Sequence, residues 1–287
     1  MGKKMRAALT ALLAAVFLCS AAFTAWHLFQ YWKIGGDRQE AEQIAGLDSA
    51  QPTLPPAPTA PPETPEAQPE PTAPPETPEP LPQEAAALAD VDLEALRGVN
   101  GDVLGWIMIP GTELSYPVVQ GTDNRYYLTH NWKKEPSSGG AVFLESTNSP
   151  DFTGFNTIIY AHRMNNDTMF GTLKYYDSQD FWQAHPSVYV VVGETARRYD
   201  IFAAWEVGVR DIVYRLDLEE SDLEEEFIRT CVDSSQIDTG LRPGADDRVL
   251  TLSTCTGLGA SPNRWIVQGY LAQEYPLAPA GEGSGAP

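Results

Sequence analysis

The chain has 287 residues, with 19 Lys+Arg against 39 Asp+Glu and a formal net charge of −20. Beyond residue 83 the balance is 14 basic to 30 acidic residues, which repels phosphate backbones. That excludes a nucleic-acid-binding role and a general electrostatic grip on anionic lipid. The three cysteines, Cys19, Cys231 and Cys255, cannot make a disulfide framework, and no CxxC pair exists for zinc, so neither a metal nor a cofactor is expected.

In chain order, residues 1–6 form a short stub carrying Lys3, Lys4 and Arg6. Residues 7–29 then run 23 positions without Asp, Glu, Lys or Arg, long enough to cross a bilayer as one helix. Positive charge before the span predicts a cytoplasmic N-terminus and everything after Phe29 outside the cell. Trp26, His27, Tyr31 and Trp32 fall where an interfacial aromatic belt would lie. A cleaved signal peptide is the alternative, but the stretch exceeds a usual h-region and no small-x-small site follows it. Cys19 reads as a small lipid-facing residue.

Residues 30–50 are a juxtamembrane segment. Residues 51–83 hold 14 of the 24 prolines and an octapeptide repeat, TAPPETPE, at 59–66 and 72–79. No apolar periodicity supports a core there, so a disordered, extended linker is predicted. At ~3.1 Å per residue it would reach roughly 100 Å and hold the following domain away from the membrane. Residues 84–275 form the folded domain and 276–287 a flexible tail.

From Val103 the texture is β-rich. Gly105–Ile109, Pro117–Gln120, Ala141–Leu144, Thr157–Tyr160, Val188–Val192, Tyr199–Trp205, Val249–Leu252 and Trp265–Leu271 are short β-branched or aromatic runs, many of them separated by turn residues. Eight such runs suggest an antiparallel barrel or sandwich. Helices are predicted at Val91–Val99, at Met169–Tyr175 and at Ser221–Val232. The last opens on a capping-box pattern and gathers Leu223, Phe227, Ile228 and Cys231 on one face, which makes Cys231 a core packer.

Nucleophilic catalysis through sulfur needs a thiolate, a base and a donor for the developing oxyanion. Cys255 ends the strand Val249–Thr254 and precedes a loop, Thr256–Asn263, rich in small residues. His27 belongs to the apolar span, and His130 and His185 read as surface residues. His162 follows the strand Thr157–Tyr160, as Cys255 follows its own. Arg264 opens the strand after the cysteine's loop and can fold back beside it. Its guanidinium is always charged and carries five donors.

Thr251-Leu-Ser-Thr-Cys255, with Arg264 downstream and Tyr160-Ala-His162 upstream, resembles a sortase, and more narrowly a class B sortase. Asn100–Gly111, Tyr116–Gly121 with Tyr126–Leu128, and Met169–Tyr175 support the likeness, and the helix Ser221–Val232 matches the insertion of that class. The resemblance implies a mostly β fold. This is a closed eight-stranded sortase-type β-barrel with an N-terminal helix and an inserted helix, preceded by one transmembrane helix and a Pro-rich linker.

It further implies a membrane-anchored cysteine transpeptidase of a Gram-positive-type surface. Cys255 would attack a backbone carbonyl in the C-terminal sorting signal of a secreted protein and form a thioester. An amine of a cell-wall precursor, or a pilin lysine, would resolve it. His162 would act as acid and base, and Arg264 would hold substrate and oxyanion. Asn124, Leu128, Ser253 and Thr254 would contact substrate. The chain departs from the family at Ala161, where glycine usually precedes the histidine, and at Thr256, where class B members often carry an acidic residue.

Three other readings compete. A papain-like peptidase places its cysteine before its histidine, the reverse of the order here. A membrane-tethered, non-catalytic β-barrel binding module would leave Cys255, His162 and Arg264 apart. A metal site finds no ligand spacing.

Overall fold

The computed structural model describes residues 3–47, 81–216, 218, 221–255 and 263–277. The predicted linker therefore lies outside the described residues up to position 80, as do the Cys-to-Arg loop at 256–262 and the tail beyond Leu277.

A 42-residue helix, α1 (Lys3–Ile44), opens the chain. It contains an apolar stretch long enough to cross a membrane. After the gap come a 3-10 helix at Gln83–Asp90 and α2 (Leu93–Val99). The latter starts two residues later than the apolar pattern suggested because Asp92 caps it, accepting from Ala95 N at 2.8 Å.

Among the described residues eight strands close a barrel: β1 (Val103–Met108), β2 (Ser115–Val119), β3 (Val142–Leu144), β4 (Asn156–Tyr160), β5 (Ser187–Val192), β6 (Thr195–Gly208), β7 (Val249–Cys255) and β8 (Asn263–Pro276). The spatial order is β1-β2-β3-β4-β7-β8-β6-β5. All eight predicted runs are strands, but the expected antiparallel arrangement is corrected at two joints. The pairs β2/β3 and β4/β7 run parallel, because each is separated in sequence by a long excursion that returns the chain in the same direction.

Strand alternation separates two faces. In β7, Leu250 and Leu252 enter the barrel core with Ile107, Ile159, Val190 and Val267. On the opposite face Val249 packs beneath α4 (Ser221–Ser234), the helix inserted between β6 and β7, together with Phe202, Trp205, Phe227 and Cys231. Glu225 and Glu226 lie exposed on the far side of α4, as its amphipathic pattern requires. Cys231 is fully buried, and burial pushes its thiol well above the ordinary value.

The helix predicted at Met169–Tyr175 is instead a 3-10 helix shifted to Gly171–Asp177. Met169 sits in the left-handed region at φ 56°, which a helical residue cannot adopt. A short α3 (Gln179–Ala184) leads into β5.

Residues 30–44, read in sequence as part of a juxtamembrane segment, continue α1 as helix, and Ile34, Ala41 and, in the turn that follows, Ala45 are buried against the barrel domain.

Candidate active site

The parallel pairing of β4 with β7 sets the site. Tyr160 lies opposite Ser253 in that ladder, and Ala161 N continues it by donating to Ser253 O at 3.4 Å. His162 stands two residues past Tyr160, and Cys255 two residues past Ser253. Equal offsets on adjacent parallel strands, roughly 4.8 Å apart, bring the two backbones to one rim of the barrel. Strand β8 runs antiparallel to β7, and its register pairs Arg264 with Cys255. Three residues distant in sequence thus meet through register alone.

His162 is half-buried, and its Nε2 lies 2.7 Å from Leu128 O. A carbonyl only accepts, so this bond places the proton on Nε2. The backbone of His162 is also held, because its carbonyl accepts from Phe170 N at 3.0 Å. That bond closes the tight loop 162–170, with Asp167 at φ 64° and Met169 at φ 56°. Arg264 is half-buried, and its Nη1 donates to Asn263 O at 2.9 Å. Asn263 Nδ2 in turn donates to Glu206 Oε1 on β6 at 2.6 Å.

Beside these residues lies a carboxylate hub that the sequence reading missed. Glu145 follows β3 and accepts from Asn124 Nδ2 at 2.5 Å and from the Tyr160 hydroxyl at 3.0 Å. Burial opposes its ionisation. Hydrogen bonds from Asn124, Tyr160, Thr147 and Ser146 outweigh burial and hold the carboxyl below its usual range. Burial foremost, then the Glu145 charge, push the Tyr160 hydroxyl well above its ordinary value against a pull from Arg264. The one signal for Glu145 was an acidic residue directly after the apolar run Val142–Leu144.

The four predicted substrate contacts fall in different settings. Asn124 has both ends of its amide engaged, donating to Glu145 and accepting from Ser146 N at 2.8 Å. Leu128 is 37% exposed at the rim, and its carbonyl is the partner of His162. Ser253 and Thr254 are buried. The Ser253 hydroxyl lies 2.9 Å from the Tyr214 hydroxyl, whereas Thr254 Oγ1 makes no hydrogen bond among the described residues.

His130 and His185, read as surface residues, are both half-buried. His130 stacks on Tyr126 with ring centroids 4.1 Å apart, and His185 Nδ1 lies 2.8 Å from Pro110 O. Among the described residues no cluster of three or more His, Cys, Asp or Glu could hold a metal ion.

Behind the rim, a buried polar network fixes the register of β7. Thr251 donates to Asn156 Oδ1 at 2.8 Å and accepts from Gln268 Nε2 at 2.9 Å. Asn156 Nδ2 donates to Val213 O and Arg215 O, tying β4 to the segment that carries Tyr214.

Residues 107–272 match the family model described as Sortase domain. The chain is 34% identical over 181 residues to Sortase B of Listeria monocytogenes, covering 63% of this chain and 74% of that one. A Staphylococcus aureus sortase B–substrate complex superposes with a TM-score of 0.60 at 28% identity, covering 65% of this chain and 85% of that chain. A sortase B complexed with triglycine gives a TM-score of 0.60 at 28% identity, covering 64% and 86%.

Proposed function

The chain belongs to the sortase family of cysteine transpeptidases, and from that premise we propose that Cys255, His162 and Arg264 carry the reaction at a membrane surface. The observation that supports this assignment is the register of β4, β7 and β8, which gathers the three at one rim.

In this reading the Cys255 thiolate attacks the carbonyl carbon of a peptide bond in the sorting signal of a secreted protein. A tetrahedral oxyanion forms, and the Arg264 guanidinium offers it charge and donors. Collapse breaks the C–N bond. His162, paired with the thiolate as an imidazolium, gives one of its two protons to the departing amine and becomes neutral, leaving the acyl group as a thioester on sulfur. An incoming primary amine then attacks the thioester carbon and passes a proton to His162. The new amide leaves, and the thiolate is restored. Bond count and protons balance, and neither metal nor redox partner is required.

The acceptor is an amine of a cell-wall precursor or a pilin lysine. The relative solved with triglycine favours a small glycine-type amine. The apolar stretch of α1 serves as a single-pass anchor with a cytoplasmic N-terminus, since Lys3, Lys4 and Arg6 precede it. Substrate and acceptor tethered to the same membrane gain effective concentration. Residues 84–275 act as the catalytic domain.

The test incubates the protein with a pool of sorting-signal peptides, with and without triglycine, beside Cys255→Ala. Mass spectrometry is expected to find cleaved peptide that shifts to an amide-linked product when amine is added, and neither with Cys255→Ala. A folded protein that gives no adduct with any peptide and no thiol reactivity at Cys255 would favour a binding barrel instead.

A further inference from the structure

The Pro-rich segment reads in sequence as a spacer holding the barrel far from the lipid. The geometry points elsewhere: we propose that α1 is a continuous strut that seats the barrel directly on the membrane surface. The distance from membrane to barrel is then set by α1 and not by the contour length of the Pro-rich segment. This rests on the reading of residues 7–29 as a membrane span.

The span is read as ending at Phe29, with Lys33 the first charged residue beyond it, and contact with the barrel begins at Gln30. Gln30 Oε1 accepts from Ser138 Oγ at 3.3 Å, and Lys33 Nζ donates to Pro136 O at 3.2 Å. One turn on, Ile34 is 3% exposed within the barrel's main core cluster. The helix backbone is held as well, because Trp132 Nε1 donates to Asp37 O at 3.0 Å. Arg38 pairs with Glu113 at 2.9 Å and Glu40 with Lys133 at 2.6 Å. The unbroken run of helix from Gln30 to Ile44, joined this way, leaves no break at which the domain could swing from its anchor. At ~1.5 Å per residue, the loop around Pro136 and Ser138 lies within about one helical turn of the end of the span. Exposed Phe29 and Trp32 mark the interface level there.

The two ends of the intervening segment support the same conclusion. Leu47 and Leu81 both pack against one hydrophobic cluster, which contains Ala41, Ala45, Ala85 and Leu88. Asp92 N donates to Ala45 O at 3.1 Å. A chain that leaves and rejoins the same cluster sets no distance between barrel and bilayer, whatever its contour length.

Two adjacent glycines link the strut to the site. A Cβ on Gly139 would come within 2.8 Å of Ile34 Cγ1, and one on Gly140 would lie 3.0 Å from Leu128 O, the carbonyl bonded to His162. The rim thus sits at a fixed, short height above the headgroups, matched to a reactive group presented at the lipid surface.

Neutron reflectometry of the full chain in a supported bilayer tests this, with vesicle flotation run first. Two variants accompany it, a duplication of residues 51–79 and an insertion of about ten Gly/Ser residues, flexible by composition, between Phe29 and Gln30. The barrel layer is expected to start within about 10 Å of the headgroups, two helical turns. It should be unmoved by the duplication and displaced or broadened by the insertion. A hydrated gap of tens of ångströms that widens with the duplication would overturn the strut while leaving the anchor intact. Failure to float would overturn the anchor and, with it, the strut.

Discussion

At the residue scale, the three proposed catalytic groups differ in what their loss should do. Cys255→Ala removes the atom that carries the acyl group, so turnover should fall below detection. His162→Ala should cost about 10²–10⁴-fold in kcat/KM, the usual range for a general acid–base. Arg264→Lys keeps the charge but not the fork of donors, so it should recover little of the loss in Arg264→Ala. Steady-state kinetics on one cleavable peptide distinguishes the three.

Glu145 makes a separate expectation, on stability. Its carboxyl is held below the unfolded value of 4.5. It therefore contributes stability that is fully present above about that pH and lost as pH falls through the lower folded value. Thermal midpoints of the parent should drop steeply in this acid window, whereas Glu145→Gln should start lower at neutral pH and fall less. The candidates Cys255, His162 and Arg264 were legible as a group because they stand at strand ends, which the register of β4, β7 and β8 brings to one rim. Glu145 and Tyr214 were not, because their role arises from contacts across strands and turns that no local pattern encodes.

At the element scale, strand identity was legible and strand direction was not. The runs of β-branched and aromatic residues located all eight strands, and Ser221–Val232 carried its capping box and buried face openly. Parallel joints β2/β3 and β4/β7 depend on where long excursions return, which periodicity does not record. Met169 at positive φ likewise moved a helix start that composition placed earlier. The buried network behind β7 is the element-scale device that keeps Cys255 in register with Arg264. Asn156→Ala removes two bonds it donates and one it accepts, so it should destabilise the fold by about 3 kcal/mol in urea unfolding. A Cβ at Gly105 would lie 2.0 Å from Val191 O. Gly105→Ala should therefore force β1 from β5 and lower the urea midpoint.

At the scale of the whole molecule, a long N-terminal helix and a closed barrel share one packed interface. The sequence carries a local sign of this interface. Ile34, Ala41 and Ala45 recur at helical spacing directly after the apolar span. Proline content predicts an extended linker at 51–83, but composition does not record that Leu47 and Leu81 meet one cluster. The proposed strut would also set orientation, because it would fix the face bearing Leu128 and His162 relative to the bilayer normal. Ile34→Asp places a charge in the core against Gly139, so amide exchange across residues 34–44 should rise strongly while the barrel strands stay protected. Uniformly fast exchange over both would mean that the barrel needs α1 to fold.

The most direct test of the central claim is intact-protein mass spectrometry of the resting protein after mixing with a cleavable sorting peptide and no amine. A mass increase equal to the N-terminal part of the peptide, located on Cys255 and discharged by added triglycine, is the expected result. Turnover that persists in Cys255→Ala, or an acyl group carried on another residue, would contradict the assignment of Cys255 as the nucleophile.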